Sequence, residues 1–244
     1  MKILILESER YAQAASGLIM EHILNDPSGV VGFATGTTTP PVHEALVRRF
    51  GETKTAASRL AVFNVDEYLG ISPDDPRTCL SRMKSQLYEQ IRPKELICFR
   101  SDAPDPEEDA RRVLREINGA GGLRLQILGI GKDGHIGFND PGTPWEFENV
   151  VVSFSPSSQL GKADFWGGVE NVPKRGATLG IKGIMNARSL MLLAKGESKA
   201  EIIHAALEGP VTLNVPASVL QLHPAATVVL DRSAASRLQQ PRDF

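Results

Sequence analysis

The sequence predicts an α/β protein whose sheet is doubly wound and mostly parallel, with helices on both faces. Short runs of Val, Ile and Leu alternate with longer segments of helical period, which is the pattern of successive βαβ units. Of the 244 residues, 41% are apolar and 23% are charged, as in ordinary globular domains. No repeat, low-complexity tract or Gly/Ser linker divides the chain, so residues 1–244 are expected to form a single domain.

The alternation defines the predicted elements in order along the chain. Apolar runs predict strands at residues 2–6, 29–34, 59–64, 123–129, 189–195 and 227–231. The segments between them predict helices at about residues 9–24, 41–50, 79–90, 106–117, 198–207 and 216–222. Residues 153–174 mix Gly, Ser and Pro around the aromatic pair Phe165 and Trp166, and we interpret this stretch as a mobile lid.

Charge and cysteine usage exclude several classes of function. The formal net charge is −2, and 27 Lys and Arg are scattered among 29 Asp and Glu, so there is no basic stripe for nucleic acid. Cys79 and Cys98 are the only cysteines, which suits a reducing compartment. The apolar start at residues 3–6 is too short for a signal peptide or a membrane helix. We therefore expect a cytoplasmic protein that binds neither nucleic acid nor membrane.

A hydroxyl-rich turn follows the second predicted strand and precedes a helix. Ligands of open α/β sheets bind beyond the carboxyl ends of the strands, and a helix N-terminus offers backbone N–H groups to a phosphate. An N-capping turn without a ligand is an equally good explanation, because helix starts favour Thr. The candidate phosphate-binding residues are Thr35, Gly36, Thr37, Thr38 and Thr39.

Two adjacent acids, Asp66 and Glu67, follow the third predicted strand. Neighbouring side chains of an extended strand point to opposite faces, so one acid is expected to face the cleft and the other to serve a different role. A partly desolvated carboxylate at the end of a strand can act as a general base. The alternative for either acid is a helix cap or a surface loop position.

A glycine-rich loop at residues 129–142 follows the fourth predicted strand and begins with a literal G-x-G-x-x-G. A dinucleotide site would need a helix directly after this turn and an acid at the end of the next strand. Glycines and prolines break any long helix here, and serines follow the next apolar run. The sequence therefore argues against nicotinamide binding.

The same loop places His135 between Asp133 and Asp140. A histidine that a carboxylate orients is suited to proton transfer near neutral pH. The other four histidines have no metal-ligand spacing, and no G-x-S-x-G elbow is present. We therefore predict an acid–base site without a metal.

Taken together, these segments resemble the glucosamine-6-phosphate deaminase family, also called glucosamine-6-phosphate isomerase. The resemblance runs through most of the chain in the motifs ATGTTTP, FNVDEYLG, ILGIGKDGHIGFNDPG, VPKRGATLGI, GESKA and SVLQLHP. It implies a modified Rossmann-like fold, no cofactor, and conversion of an amino-sugar 6-phosphate to a ketose 6-phosphate with release of ammonia. A homo-oligomer is left open.

The resemblance also implies roles for individual residues. Asp66 would move a proton between C2 and C1 of the opened sugar, and His135 would open the ring. Asp133 and Asp140 would hold and tune the imidazole. The threonine turn and Lys199, in GESKA, would bind the phosphate.

The sequence departs from the family pattern at two positions that bear on the site. The family usually has glutamate where Asp140 stands, and it carries a phosphate-binding arginine where an ungapped alignment places Asp164. Either Lys162 or another cation substitutes for that arginine, or the substrate differs. In some hexameric members, basic residues in the region matching 145–152 bind an activator; this chain has no cation there, so we expect no such activation.

Three alternative functions remain open. A relative acting on galactosamine 6-phosphate or another amino sugar fits the departures. A 6-phosphogluconolactonase shares the fold and the G-x-x-x-D-G-H loop, but HIGFND and FNVDEY are not its motifs. A non-catalytic sugar-phosphate sensor is disfavoured because Asp66 and His135 are both intact.

Overall fold

The computed structural model describes residues 1–26, 28–53 and 57–239, which contain ten strands and eight α-helices. The strands are β1 (Lys2–Leu6), β2 (Val30–Phe33), β3 (Ala61–Asn64), β4 (Asp66–Leu69), β5 (Glu95–Ile97), β6 (Leu123–Gly129), β7 (Asn149–Ser153), β8 (Arg175–Leu179), β9 (Ser189–Ala194) and β10 (Ala226–Asp231). The helices are α1 (Tyr11–Asn25), α2 (Pro40–Thr53), α3 (Cys79–Met83), α4 (Glu89–Ile91), α5 (Pro106–Gly119), α6 (Pro156–Trp166), α7 (Ile181–Met185) and α8 (Ala200–Leu207).

Seven strands form a parallel sheet in the order β1-β10-β9-β6-β2-β3-β5. Two large hydrophobic clusters pack against this sheet, one on each face. Side chains on opposite faces of a strand belong to different clusters: Leu125 and Ile127 of β6 lie in one, and Leu128 lies in the other. A strand buried on both sides reads as a continuous apolar run, which is why the sequence revealed these strands. The predicted α/β class with a mostly parallel, doubly wound sheet is confirmed.

A second sheet of three antiparallel strands, in the order β4-β8-β7, continues the chain beyond the end of β3. The backbone of Val65 joins the two sheets, since its N–H donates to Phe33 O at 3.0 Å and its carbonyl accepts from Leu179 N at 2.9 Å. None of the three strands was predicted. Asp66 is the first residue of β4, so this small sheet sets the direction of that carboxylate.

Helix α6 lies within the stretch interpreted from the sequence as a mobile lid. Ser155 caps the helix by accepting from Ser158 N, Pro156 occupies the first turn, and Gly167 ends it in the left-handed region at φ 72°. Trp166 is buried with Tyr68, Phe138 and Phe154 in an aromatic cluster that connects α6 to the small sheet. The sequence did not predict this helix, and the lid function stays a prediction.

The other predicted elements differ from the structure mainly in helix type. All six predicted strands are present, with ends within about two residues of the prediction. The predicted helix at 79–90 contains a π-helical stretch, Lys84–Tyr88, between α3 and α4, and the one at 216–222 is a 3-10 helix. No helix in the described part of the chain is both long and apolar enough to span a bilayer.

Candidate active site

A cleft of about 600 Å³ opens at the carboxyl ends of four adjacent strands of the parallel sheet, β3, β2, β6 and β9. This is where ligands of open α/β sheets bind. We call it the cleft, and its lining residues are Ala34, Thr35, Gly36, Thr37, Thr38, Thr39, Asp66, Tyr68, Arg82, Gly129, Ile130, Gly131, Lys132, Asp133, His135, Gly137, Phe138, Ser157, Ser158, Gly161, Lys162, Ser198 and Lys199.

Asp66 lies in the cleft although only 5% of its surface is exposed. Its backbone carbonyl accepts a hydrogen bond from Asn64 Nδ2 at 2.8 Å, which fixes the turn from β3 into β4. Its Oδ1 atom is buried and has no hydrogen-bond partner among the described residues. Burial raises the pKa of Asp66 from 3.8 to about 6, and the Cys79 thiol and Arg82 act in the opposite direction. The carboxylate is thus a weaker acid than usual and ionises just below neutral pH.

Glu67 points away from the cleft and binds the start of α3. Its two oxygens accept from the backbone N–H groups of Tyr68, Cys79 and Leu80 at 2.7, 2.9 and 2.8 Å. The N–H groups of Cys79 and Leu80 are orphan donors at the N-terminus of α3, where a carboxylate is favourable. As expected, only one of the two adjacent acids faces the cleft: Asp66 lines it, whereas Glu67 binds backbone N–H groups.

The glycine-rich loop brings Asp133 and His135 into direct contact. His135 Nδ1 lies 2.6 Å from Asp133 Oδ1, and the backbone N–H of His135 donates to the same oxygen at 3.2 Å. A Cβ atom on Gly131 would lie 2.1 Å from His135 Nδ1, so the imidazole occupies space that only glycine leaves free. The hydrogen bond from His135 lowers the pKa of Asp133, which keeps that carboxylate ionised.

Asp140 lies beside this pair and is bound to α6. Ser158 Oγ donates to Asp140 Oδ2, while Asp140 Oδ1 is buried without a partner among the residues described. One ligand atom each from Asp133, His135 and Asp140 lies within 4.8 Å of the others, the only such group found in the described ranges. Two of the three groups are already engaged, Asp133 by His135 and Asp140 by Ser158, so hydrogen bonding accounts for the cluster.

The threonine turn and Lys199 both line the cleft. Thr35 Oγ1 lies 3.5 Å from Cys79 Sγ, and the fully buried Thr39 has an Oγ1 atom without a partner in the ranges described. Lys199 Nζ donates to Ile130 O at 2.7 Å, and its pKa is lowered by partial burial and by Lys132. The cleft thus holds hydroxyl and amide donors from the turn and an ammonium donor from Lys199.

The structure adds residues that the sequence did not single out, namely Tyr68, Arg82, Ser157 and Ser158, and it places in the cleft Lys162, which the sequence offered only as a substitute for the family's arginine. Most of them lie on α3 and α6, and α6 was not predicted. Once the helices are known, their spacing explains them: Arg82 is three residues after Cys79, and Lys162 is four after Ser158.

Asp164 is exposed on α6 and is absent from the residues that line the cleft. Asp164 therefore does not oppose a ligand in the cleft, and on this wall Lys162, the substitute cation suggested by the sequence, faces the cleft instead. Lys162 Nζ lies 4.6 Å from the Phe154 ring centroid and donates to Ser158 O at 3.4 Å.

Comparison with known proteins agrees with this geometry. The family described as glucosamine-6-phosphate isomerases/6-phosphogluconolactonase matches residues 8–229. A glucosamine-6-phosphate deaminase of Thermoanaerobacter pseudethanolicus is 37% identical over 97% of this chain and 94% of its own. The solved structure of a monomeric glucosamine-6-phosphate deaminase has a TM-score of 0.92 at 33% identity and covers 97% of this chain and 100% of its own.

A 6-phosphogluconolactonase from Trypanosoma cruzi is similar in fold alone, with a TM-score of 0.79 at 18% identity over 98% of this chain and 97% of its own. The deaminases are therefore the nearer group, because they match in sequence over almost the whole chain as well as in fold. The chain belongs to the glucosamine-6-phosphate deaminase family of enzymes.

Proposed function

We propose that this protein converts glucosamine 6-phosphate, or a closely related amino-sugar 6-phosphate, to the ketose 6-phosphate and ammonia. The observation that carries the proposal is that a buried carboxylate, Asp66, faces the same cleft as the His135–Asp133 pair and a donor-rich turn. A base, a proton-transfer pair and an anion site within one cleft are what such a reaction requires. The family supports the same reaction.

Asp66 is proposed as the base for the isomerisation. Its carboxylate takes the proton from C2 of the opened amino sugar and returns it to C1, by way of an enolamine. The resulting imine at C2 takes up water and loses ammonia, which leaves the ketone at C2. With a pKa of about 6, Asp66 is mostly ionised at neutral pH and yet basic enough to accept a proton.

His135 is proposed to open the sugar ring, with Asp133 and Asp140 as its partners. Ring opening requires a proton on the ring oxygen and the loss of one from the C1 hydroxyl, which an imidazole can transfer. The 2.6 Å contact with Asp133 holds Nδ1, so Nε2 is left for the substrate. Asp140 lies close enough to stabilise the imidazolium through its charge.

The phosphate is proposed to bind at Thr35, Gly36, Thr37, Thr38, Thr39 and Lys199. The hydroxyl groups and amides of the turn precede α2, whose N-terminus favours an anion. Lys199 adds a point charge to the same cleft. Thr39 Oγ1 supports this role because no described residue satisfies it.

Several broader features are proposed with the activity. We propose a single domain over residues 1–244, a cytoplasmic location that fits the free Cys79 and Cys98, and a reaction without cofactor or metal. The proposed partner is a small-molecule substrate, an amino-sugar phosphate. The oligomeric state is to be measured. Sedimentation of the purified protein would distinguish the monomer, as named for the solved relative, from a homo-oligomer.

The proposal is tested by incubating the purified protein with the 6-phosphates of glucosamine, galactosamine and mannosamine and measuring ammonia and ketose phosphate. We expect equal amounts of both products from at least one sugar. Hydrolysis of 6-phosphogluconolactone is measured in parallel, because fold neighbours carry that name. Lactone hydrolysis without ammonia release, or neither reaction, would contradict the proposed function.

A further inference from the structure

The cleft contains more positive than negative charge. Among the described residues that line it, four carry a cationic side chain, Arg82, Lys132, Lys162 and Lys199, whereas only Asp66 and Asp133 carry a carboxylate. A phosphate monoester carries a charge of about −1.5 to −2 at pH 7. The excess of two positive charges therefore balances the charge of one phosphate group.

The four cations differ in how the protein engages them. Lys199 and Lys162 donate to the backbone carbonyls of Ile130 and Ser158. Lys132 is exposed to solvent. The partly buried guanidinium of Arg82 lies 5.0 Å from the Phe165 ring centroid, and no carbonyl or carboxylate of the described chain accepts from it. Of the four, Arg82 has the most donors to offer a ligand.

Arg77 provides a comparison from the same region. Its guanidinium lies 4.5 Å from the Trp166 ring centroid, so both arginines pack against the aromatic pair at the end of α6. Arg77, however, donates to both oxygens of Asp75, at 2.9 and 2.6 Å, and does not line the cleft. Stacking on α6 and the ion pair with Asp75 together account for Arg77. Among the described residues, Arg82 has the stacking contact alone, so its hydrogen-bond donors are unused.

Helix α3 directs Arg82 toward the end of the cleft that holds the threonine turn. Cys79, one helical turn earlier, lies 3.5 Å from Thr35 Oγ1. Residues three apart share a helix face, so Arg82 projects beside this turn. The charge of Arg82 is felt there, since it lowers the pKa of Asp66 and that of the nearby His43.

We propose that Arg82 is a specificity-determining residue that binds the substrate's phosphate from the α3 wall of the cleft, together with the threonine turn and Lys199. The inference rests on the proposed function and extends it to a residue that no resemblance pointed to. A planar guanidinium can donate two parallel hydrogen bonds to phosphate oxygens, which an ammonium group cannot. Arg82 thereby supplies an arginine to this cleft although position 164 is an exposed aspartate.

The kinetic test compares Arg82→Gln, Arg82→Lys and the matched control Arg77→Gln, all with glucosamine 6-phosphate. Because a phosphate contact is made in the ground state and the transition state alike, Arg82→Gln should raise KM at least about tenfold with kcat within about threefold. Arg82→Lys should recover part of the affinity. An unchanged KM in Arg82→Gln, or an equal rise in Arg77→Gln, would overturn the proposal in favour of a purely structural arginine.

A binding test separates this inference from the proposed activity. Inorganic phosphate is titrated calorimetrically into the wild type, Arg82→Gln and Arg77→Gln, after thermal melting has shown that all three are folded. We expect Arg82→Gln alone to weaken phosphate binding, by about tenfold. If the wild type releases no ammonia but this pattern holds, the activity is wrong and the phosphate subsite stands. If phosphate binds all three proteins equally, or does not bind the wild type, the subsite is wrong.

Discussion

Two regions of the cleft contain aspartates that respond to their surroundings in opposite ways. At the floor, Asp66 is buried at the start of β4, has an oxygen without a partner, and has a pKa raised to about 6. At the rim, Asp133 is half-exposed on a glycine-rich loop, and the hydrogen bond from His135 lowers its pKa. The same type of side chain therefore has a raised pKa at the floor and a lowered pKa at the rim.

The surroundings of each aspartate, rather than its residue type, give Asp66 and Asp133 different chemical properties. Burial without compensation produces a base, at a cost to stability. A direct contact with an imidazole produces a fixed charge that orients the ring. Substitutions at the two positions should therefore have different effects on activity and stability.

The largest expected effect is at the floor. Asp66→Asn keeps the shape of the side chain but cannot accept a proton, so kcat should fall about 10²- to 10⁴-fold while sugar-phosphate binding is largely retained. Steady-state ammonia release and binding of the product ketose phosphate measure the two quantities. A near-normal kcat would remove Asp66 from the mechanism.

Glu67→Gln is the natural contrast, because Glu67 is adjacent but binds the backbone of α3. An amide can offer only one acceptor oxygen where the carboxylate uses two. We expect this variant to lower the melting temperature while kcat falls far less than in Asp66→Asn. A greater loss of kcat in Glu67→Gln than in Asp66→Asn would reverse the roles assigned to the two acids.

A smaller kinetic effect is expected at the rim. Asp133→Asn should lower kcat about 10- to 100-fold, because His135 loses the charge that fixes Nδ1 but keeps a neutral hydrogen-bond partner. The matched control is Asp164→Asn, which removes an exposed carboxylate outside the cleft and should leave kcat unchanged. If the two variants behaved alike, the 2.6 Å contact with His135 would have no part in catalysis.

The difference between floor and rim also predicts a pH-dependent change in stability. The pKa of Asp66 is higher in the folded protein than in the unfolded chain. The free energy of unfolding is therefore highest below about pH 3.8, and part of it is lost as the pH rises through about 6. At pH 8, Asp66→Asn should therefore raise the free energy of unfolding by roughly 1–3 kcal/mol, and this gain should vanish near pH 4. Urea unfolding of the wild type and the variant at both pH values checks this, and a gain that is equal at both would show that ionisation is not its cause.

The part of the site that the sequence predicted is the part that follows the strands of the parallel sheet. Buried parallel strands read as apolar runs, and functional residues follow their carboxyl ends, so the threonine turn, the Asp66–Glu67 pair and His135 could be found, whereas Lys199 came only from the family resemblance. The strand pattern alone could not decide which of Asp66 and Glu67 faces the cleft, and only the family resemblance pointed to Asp66. That choice depends on the pairing of β4 with β8, more than one hundred residues later in the chain.

The opposite wall could not be predicted, for physical reasons. Strand β7 is only half-buried, β8 begins with an arginine and a glycine, and the glycines, serines and charges of α6 give it no marked apolar face. Helix α6 is held instead by ring contacts of Trp166 with Tyr68 and by the N-cap at Ser155. The ring contacts join residues far apart in the chain, and the cap is a local hydrogen bond, so neither produces a periodic apolar pattern. Ser158, Lys162 and the true position of Asp164 all depend on that helix.

The smallest expected effect concerns the single described hydrogen bond that joins this wall to the rim. Ser158 Oγ donates to Asp140, whose other oxygen has no partner among the described residues, so Ser158→Ala leaves a partly buried carboxylate with less support. A hydrogen bond to a charged group contributes on the order of 1 kcal/mol or more, so kcat should fall about three- to tenfold. Ser158→Thr keeps the hydroxyl and should recover most of the rate, while Ser153→Ala, on the exposed end of β7, is the control. The effect should be smaller than that of Asp133→Asn because Asp140 acts on His135 through space, and Asp133 touches it. A larger loss in Ser158→Ala would mean that the α6 wall, rather than the glycine-rich loop, sets the position of the imidazole.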